Sequence, residues 1–153
     1  MITVQKVLFL RNVQLFSGMP PSELSHLAGI AEEYVFSAGD TIITEGEHGD
    51  SLYLIVEGTV RVHRGDTDLA ELGPEDYFGE MSILDGEPRS ASVTANTDCL
   101  LLCIDQAGFQ AILSRHFEVA LTIIKTLTHR LRVADAAKAA RPDDVRKTGE
   151  TAG

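Results

Sequence analysis

Glycines punctuate the chain from Tyr34 to Ile104, among them Gly39, Gly46, Gly49, Gly58, Gly65, Gly73 and Gly86, and the apolar or alternating runs between them are short. A helix needs about ten or more uninterrupted residues at a 3.6-residue period, whereas strands joined by tight turns need only four to eight. The rhythm therefore predicts an antiparallel β-roll or sandwich. Leu52 to Val56 and Leu100 to Ile104 are apolar almost throughout, as expected of interior strands covered on both faces.

The flanks change period. Val4, Val7, Leu8, Leu10, Val13 and Leu15 fall mostly at helical spacing ahead of the breaker Ser17-Gly18-Met19-Pro20-Pro21, so a first helix is expected to fade before Phe16. Ser22 is the expected cap of a second segment, Glu23 to Ala31, with Leu24, Leu27, Ala28 and Ile30 on its apolar face. Past the roll, Asp105 is a candidate N-cap for a short helix carrying Phe109, Ile112 and Leu113. Phe117 to Ala140 reads as a longer helix with Ala120, Ile123, Ile124, Leu127 and Leu131. From Arg141 the chain is polar and unpatterned, which predicts disorder or a linker. The expected organisation is thus α+β: helical residues 1–33, a roll over 34–104, helices over 105–140 and a tail over 141–153. No internal repeat is visible.

Composition narrows the function. A length of 153 residues fits one ordinary domain able to bury a core. A formal charge of −10 argues against nonspecific nucleic-acid binding, which relies on a basic field, but leaves room for a small anion. Cys99 and Cys103 lie on one apolar run, where a strand would hold their Cα atoms roughly 13 Å apart, too far for a disulfide. Buried free thiols suit a reducing compartment. No segment reaches the roughly 18 apolar residues that cross a bilayer, and the N-terminus lacks the pattern of a signal peptide, so a cytoplasmic location is expected.

The chemistry concentrates between Phe78 and Val93. Gly79 allows backbone to approach a ligand closely, and a single helical turn over Met81 to Leu84 would direct unpaired N–H groups back toward it, where an anion is favoured. Pro88 is expected to end that turn and Arg89 to Val93 to resume as a strand, with Arg89 at its mouth. A guanidinium is permanently charged and presents a planar fork that can grip two phosphate oxygens, and Ser90 could add a third bond. Glu80, acceptor-only when ionised, suits hydroxyl donors such as those of a ribose. One ligand carrying phosphate and sugar would satisfy the set.

This stretch resembles the phosphate-binding cassette of the cyclic-nucleotide-binding domain family, which includes the sensor domains of catabolite activator protein, regulatory subunits of cyclic-AMP-dependent protein kinase and cyclic-nucleotide-gated channels. The resemblance extends upstream through Gly39 to Ile43 and Glu45 to Val62, and covers roughly residues 8 to 132. It implies that Glu80 holds the ribose 2′-hydroxyl and Arg89 the cyclic phosphate, with Phe78, Gly79, Met81, Ser82, Ser90 and Ala91 around them. Val62, Ala70 and Met81 are candidates for the apolar wall of a base pocket. The family's last helix can cover the base, and here Arg130, Leu131 and Arg132 fall at that place.

The resemblance implies a noncatalytic sensor of cyclic AMP, ahead of cyclic GMP, that uses no cofactor and converts binding into movement of its C-terminal helices. The Ser90 hydroxyl could also meet guanine. Two other classes stand beside it. One is a structural or interaction domain that has lost its ligand, against which intact Glu80 and Arg89 argue. The other is a cupin-type metalloenzyme, for which His26, His48, His63, His116 and His129 are too scattered, only His63 standing on a likely inner strand. Neither a nucleophile elbow nor a phosphate loop is visible. The expected partners are a cyclic purine nucleotide and an effector protein or domain that the sequence does not identify. A homodimer through the terminal helices is a further expectation.

Overall fold

The computed structural model describes residues 1–139. The expected tail over 141–153 lies outside them. Two helices open the chain, α1 (Thr3–Asn12) and α2 (Pro21–Ile30), separated by a 3₁₀ turn, Gln14–Phe16. Eight strands follow: β1 (Glu32–Phe36), β2 (Thr41–Ile43), β3 (Ser51–Glu57), β4 (Val60–Arg64), β5 (Thr67–Leu72), β6 (Tyr77–Phe78), β7 (Ser92–Ala95) and β8 (Cys99–Asp105). The short helix α3 (Glu80–Asp85) sits between β6 and β7, and α4 (Gln106–Arg115) and α5 (Phe117–Ala139) close the chain.

The strands form two four-stranded antiparallel sheets, ordered β1-β8-β3-β6 and β2-β7-β4-β5, as the expected roll requires. In the first sheet Ile55 lies opposite Leu101 and Tyr53 opposite Cys103 and Phe78. Ile55, Leu101 and Phe78 join Ile43, Val60, Val93 and Ala95 of the second sheet in one buried cluster. The alternate residues Leu52, Leu54, Leu102 and Ile104 are also fully buried, so both faces of β3 and β8 are covered. Helix α4 lies against these two strands, with Phe109 buried. Gly108 brings it close to α2 as well: a Cβ there would come within 2.9 Å of Ile30 Cδ1. Asp105 caps α4 as expected, accepting from the Gly108 N–H at 2.7 Å.

Several boundaries differ from the sequence expectation, each for a physical reason. Helix α2 begins at Pro21 rather than after a Ser22 cap, because proline at the first helical position has a suitable φ and gives up an N–H that would have no helical partner. Strand β1 begins at Glu32, directly after the α2 C-cap Ala31. Strand β7 begins at Ser92, not Arg89. The Arg89 N–H donates to Glu47 O at 2.8 Å and its carbonyl accepts from Gly46 N–H at 2.9 Å, so its backbone is tied to the β2–β3 loop.

The chain divides after His116 into two compact units, so the expected block of two C-terminal helices is split between them. In the second unit, α5 is a 23-residue helix in which the Thr122 and Thr126 hydroxyls donate to the carbonyls four residues back, at 2.9 Å each. Cys99 and Cys103 are buried and unbridged on β8. Among the described residues no helix is long and apolar enough to cross a membrane.

Candidate functional site

The site is built where β6 hands over to α3. Phe78 is buried in the roll with its ring stacked on Tyr53, centroids 5.3 Å apart, which anchors the residue before the turn. Gly79 then adopts φ 96 and caps α3. No other residue fits well, since that φ is left-handed and a Cβ would lie 2.6 Å from Ser51 O. The helix runs from Glu80 to Asp85, longer than the single expected turn, and it ends on Gly86 at φ 71 rather than at Pro88.

Arg89 is 8 % exposed although it lies in a loop. Its Nη1 donates to Gly79 O at 2.9 Å and its Nη2 to Ser51 O at 3.2 Å, so one cation joins the start of α3 to the start of β3. The Gly49 backbone lies so close that a Cβ there would overlap the guanidinium. Burial pushes the Arg89 pKa down, while Tyr53, Asp50 and Glu80 hold it up. Two carbonyls use only part of a guanidinium's five-donor fork, so the group can serve as scaffold and as anion ligand at once.

Glu80, at 6 % exposure, is buried on the first turn of α3 within electrostatic range of Arg89. A buried carboxylate beside a buried cation limits the local charge imbalance. Burial of Tyr53 also raises its pKa, as it does that of Cys103, keeping both neutral behind the cation. An open cavity of about 200 Å³ borders Arg89, with Gly49, Asp50, Ser51 and Tyr53 in its walls.

The structure brings Gly79, Glu80 and Arg89 together with Ser51, a residue that sequence reasoning did not single out. Ser82 is buried on α3, whereas Met81 is 45 % exposed on the same helix. Ser90 is exposed, and its carbonyl accepts from Arg64 Nε at 2.9 Å. Ala91 is half-buried just before β7. Val62 packs against the core cluster opposite Ala70 in register, and Ala70 is exposed. Arg130 and Leu131 lie on α5, in the second unit. The supporting residues Gly46, Glu47, Gly49 and Ser51 belong to a run already notable in the sequence for its resemblance. Only the folded geometry shows that they hold Arg89.

His63 bonds Gly65 O and Thr94 Oγ1, and His116 lies 2.8 Å from a Glu23 carboxylate oxygen. Among the described residues no group of three potential metal ligands is found.

The two-sheet roll, the short helix that starts from a left-handed glycine and the buried arginine bonded to that glycine's carbonyl fit a small-molecule-binding domain. The model of the cyclic nucleotide-binding domain matches residues 33–116, and the chain belongs to that family. It is 33 % identical over 123 residues to the CRP-like cAMP-activated global transcriptional regulator of Mycobacterium tuberculosis, covering 77 % of this chain and 55 % of that protein. It is 37 % identical over 135 residues to the cyclic nucleotide-gated potassium channel mll3241 of Mesorhizobium japonicum, covering 84 % and 38 %. Among solved structures, the regulatory domain of Toxoplasma gondii PKA with cAMP superposes with a TM-score of 0.76 at 25 % identity, over 82 % of this chain and 50 % of that one. The chain therefore spans about half, or less, of the length of these relatives.

Proposed function

We propose that this domain binds a cyclic purine nucleotide, cyclic AMP in preference to cyclic GMP, as a noncatalytic regulatory module. Arg89 takes the cyclic phosphate and Glu80 the ribose 2′-hydroxyl. Gly79, Ser82, Ser90 and Ala91 line the phosphoribose. Val62, Ala70 and Met81 meet the base, and Arg130 or Leu131 of α5 covers it. The observation that carries this reading is the buried Arg89, fixed between Gly79 O and Ser51 O with the Glu80 carboxylate buried nearby. Such a cation is preorganised, so little ordering cost falls on binding.

Binding becomes a signal when the nucleotide favours one arrangement of the C-terminal helices over another, since equal affinity for both would shift nothing. The effector is a further domain or a partner protein, and pairing of two copies through the helices is one way to transmit the change. The domain's setting is cytoplasmic, where buried free thiols such as Cys99 and Cys103 stay reduced. Calorimetric titration of both cyclic nucleotides into wild type and Arg89→Ala tests the reading. Wild type should bind cyclic AMP more tightly than cyclic GMP, and Arg89→Ala should lose about 2–5 kcal/mol of affinity. Failure of wild type to bind either nucleotide would refute it.

A further inference from the structure

The β4–β5 hairpin delivers a second arginine to the cassette. Arg64, the last residue of β4, donates from Nε to Ser90 O at 2.9 Å. Its neighbour His63 braces the hairpin tip, with Nδ1 2.8 Å from Gly65 O and Nε2 2.8 Å from Thr94 Oγ1 on β7. A carbonyl only accepts, so Nδ1 carries the proton and donates to Gly65. His63 also pairs in register with Ser92, which places Arg64 beside residues 90 and 91.

The described peptide bonds are all trans, so in each peptide the N–H points opposite to the C=O. The Arg89 carbonyl is held by Gly46 N–H, and the Ser90 N–H therefore points away from the β2–β3 loop. The Ser90 carbonyl is held by Arg64, and the Ala91 N–H therefore points away from the hairpin. One of these two amides is oriented by backbone and the other by a side chain. Ser90 is exposed and lies outside any strand, so without Arg64 its carbonyl would be solvated and that peptide plane less constrained.

We infer that Arg64 is a positioning residue for the phosphate half of the site. Its charge-assisted bond to Ser90 O fixes the peptide between Ser90 and Ala91, directly after Arg89, and so steadies the stretch of chain from which the Arg89 guanidinium reaches the phosphate. The inference rests on the proposal that a cyclic nucleotide binds at Arg89.

The test is calorimetric titration of cyclic AMP and 2′-deoxy cyclic AMP into wild type, Arg64→Ala, Arg64→Gln and Arg89→Ala, with thermal melting of each. The Gln side-chain nitrogen sits as many bonds from Cα as Arg Nε, so Arg64→Gln keeps a donor in place without the charge. Arg64→Ala should weaken cyclic AMP by about three- to tenfold without shifting the melt. Arg64→Gln should recover most of that loss, and the ratio of the two affinities should stay at its wild-type value. Wild-type affinity in Arg64→Ala, or no recovery in Arg64→Gln, overturns the inference while leaving the nucleotide reading intact. Full binding by Arg89→Ala removes the reading itself and the inference with it.

Discussion

Arg89 Nη1 donates to the carbonyl oxygen of Gly79 across 2.9 Å, joining the cation to the residue from which α3 starts. The guanidinium and the helix start are thus one unit. A change at either end should be felt at the other.

Gly79→Ala should therefore damage both stability and binding. At φ 96, with Ser51 O 2.6 Å from where the Cβ would stand, the substitution should cost about 1–3 kcal/mol of folding free energy. Urea unfolding measures that cost. Titration of cyclic AMP should show weaker affinity as Gly79 O moves off Arg89.

Gly49→Ala separates the two effects. Gly49 has no positive φ, but its missing Cβ leaves the space that the Arg89 guanidinium fills. The clash is with a side chain rather than with backbone, so the fold should lose less than in Gly79→Ala while nucleotide affinity falls at least tenfold, about 1.4 kcal/mol. Comparison of melting temperature with Kd checks the split.

Glu80→Gln should weaken ribose recognition less than Arg89→Ala weakens phosphate binding. The amide oxygen still accepts, without charge assistance, which sets the expected cost at about 1–2 kcal/mol. The 2′-deoxy ligand should be affected little by the same substitution, and titration of both ligands shows whether Glu80 reads that hydroxyl.

Glu23 gives a pH dependence outside the site. Its bond to His116 lowers its pKa below the ordinary 4.5, with His116, Arg115 and His26 charges adding to the effect against desolvation. A carboxyl depressed in the folded state contributes stability above its unfolded pKa and loses it as pH falls through the folded one. Wild type should outlast Glu23→Gln in thermal melts near neutrality, and the gap should close as pH drops below 4.5.

The roll was legible because glycines broke the chain into strand-sized pieces, and the cassette because Gly79, Glu80 and Arg89 sit within one short run. Local limits were less legible. Pro88 is a visible breaker, but Gly86 ends α3 two residues earlier by adopting a left-handed φ, which a glycine only permits. Arg89 to Val93 has the small and β-branched residues of a strand, yet loop bonds to Gly46 and Glu47 delay β7 to Ser92. Ser51 and Gly49 precede Arg89 by about 40 residues, and no pattern in sequence reports that separation being closed. Nothing in the sequence around Arg64 reports its bond to Ser90 O.

The central claim is that a buried guanidinium and a neighbouring carboxylate together hold a cyclic phosphoribose. A crystal structure of the domain with cyclic AMP tests it most directly. The account predicts phosphate oxygens within hydrogen-bonding distance of Arg89 and the ribose 2′-hydroxyl on Glu80. A nucleotide bound elsewhere, or seated there with Arg89 turned to solvent, would contradict it.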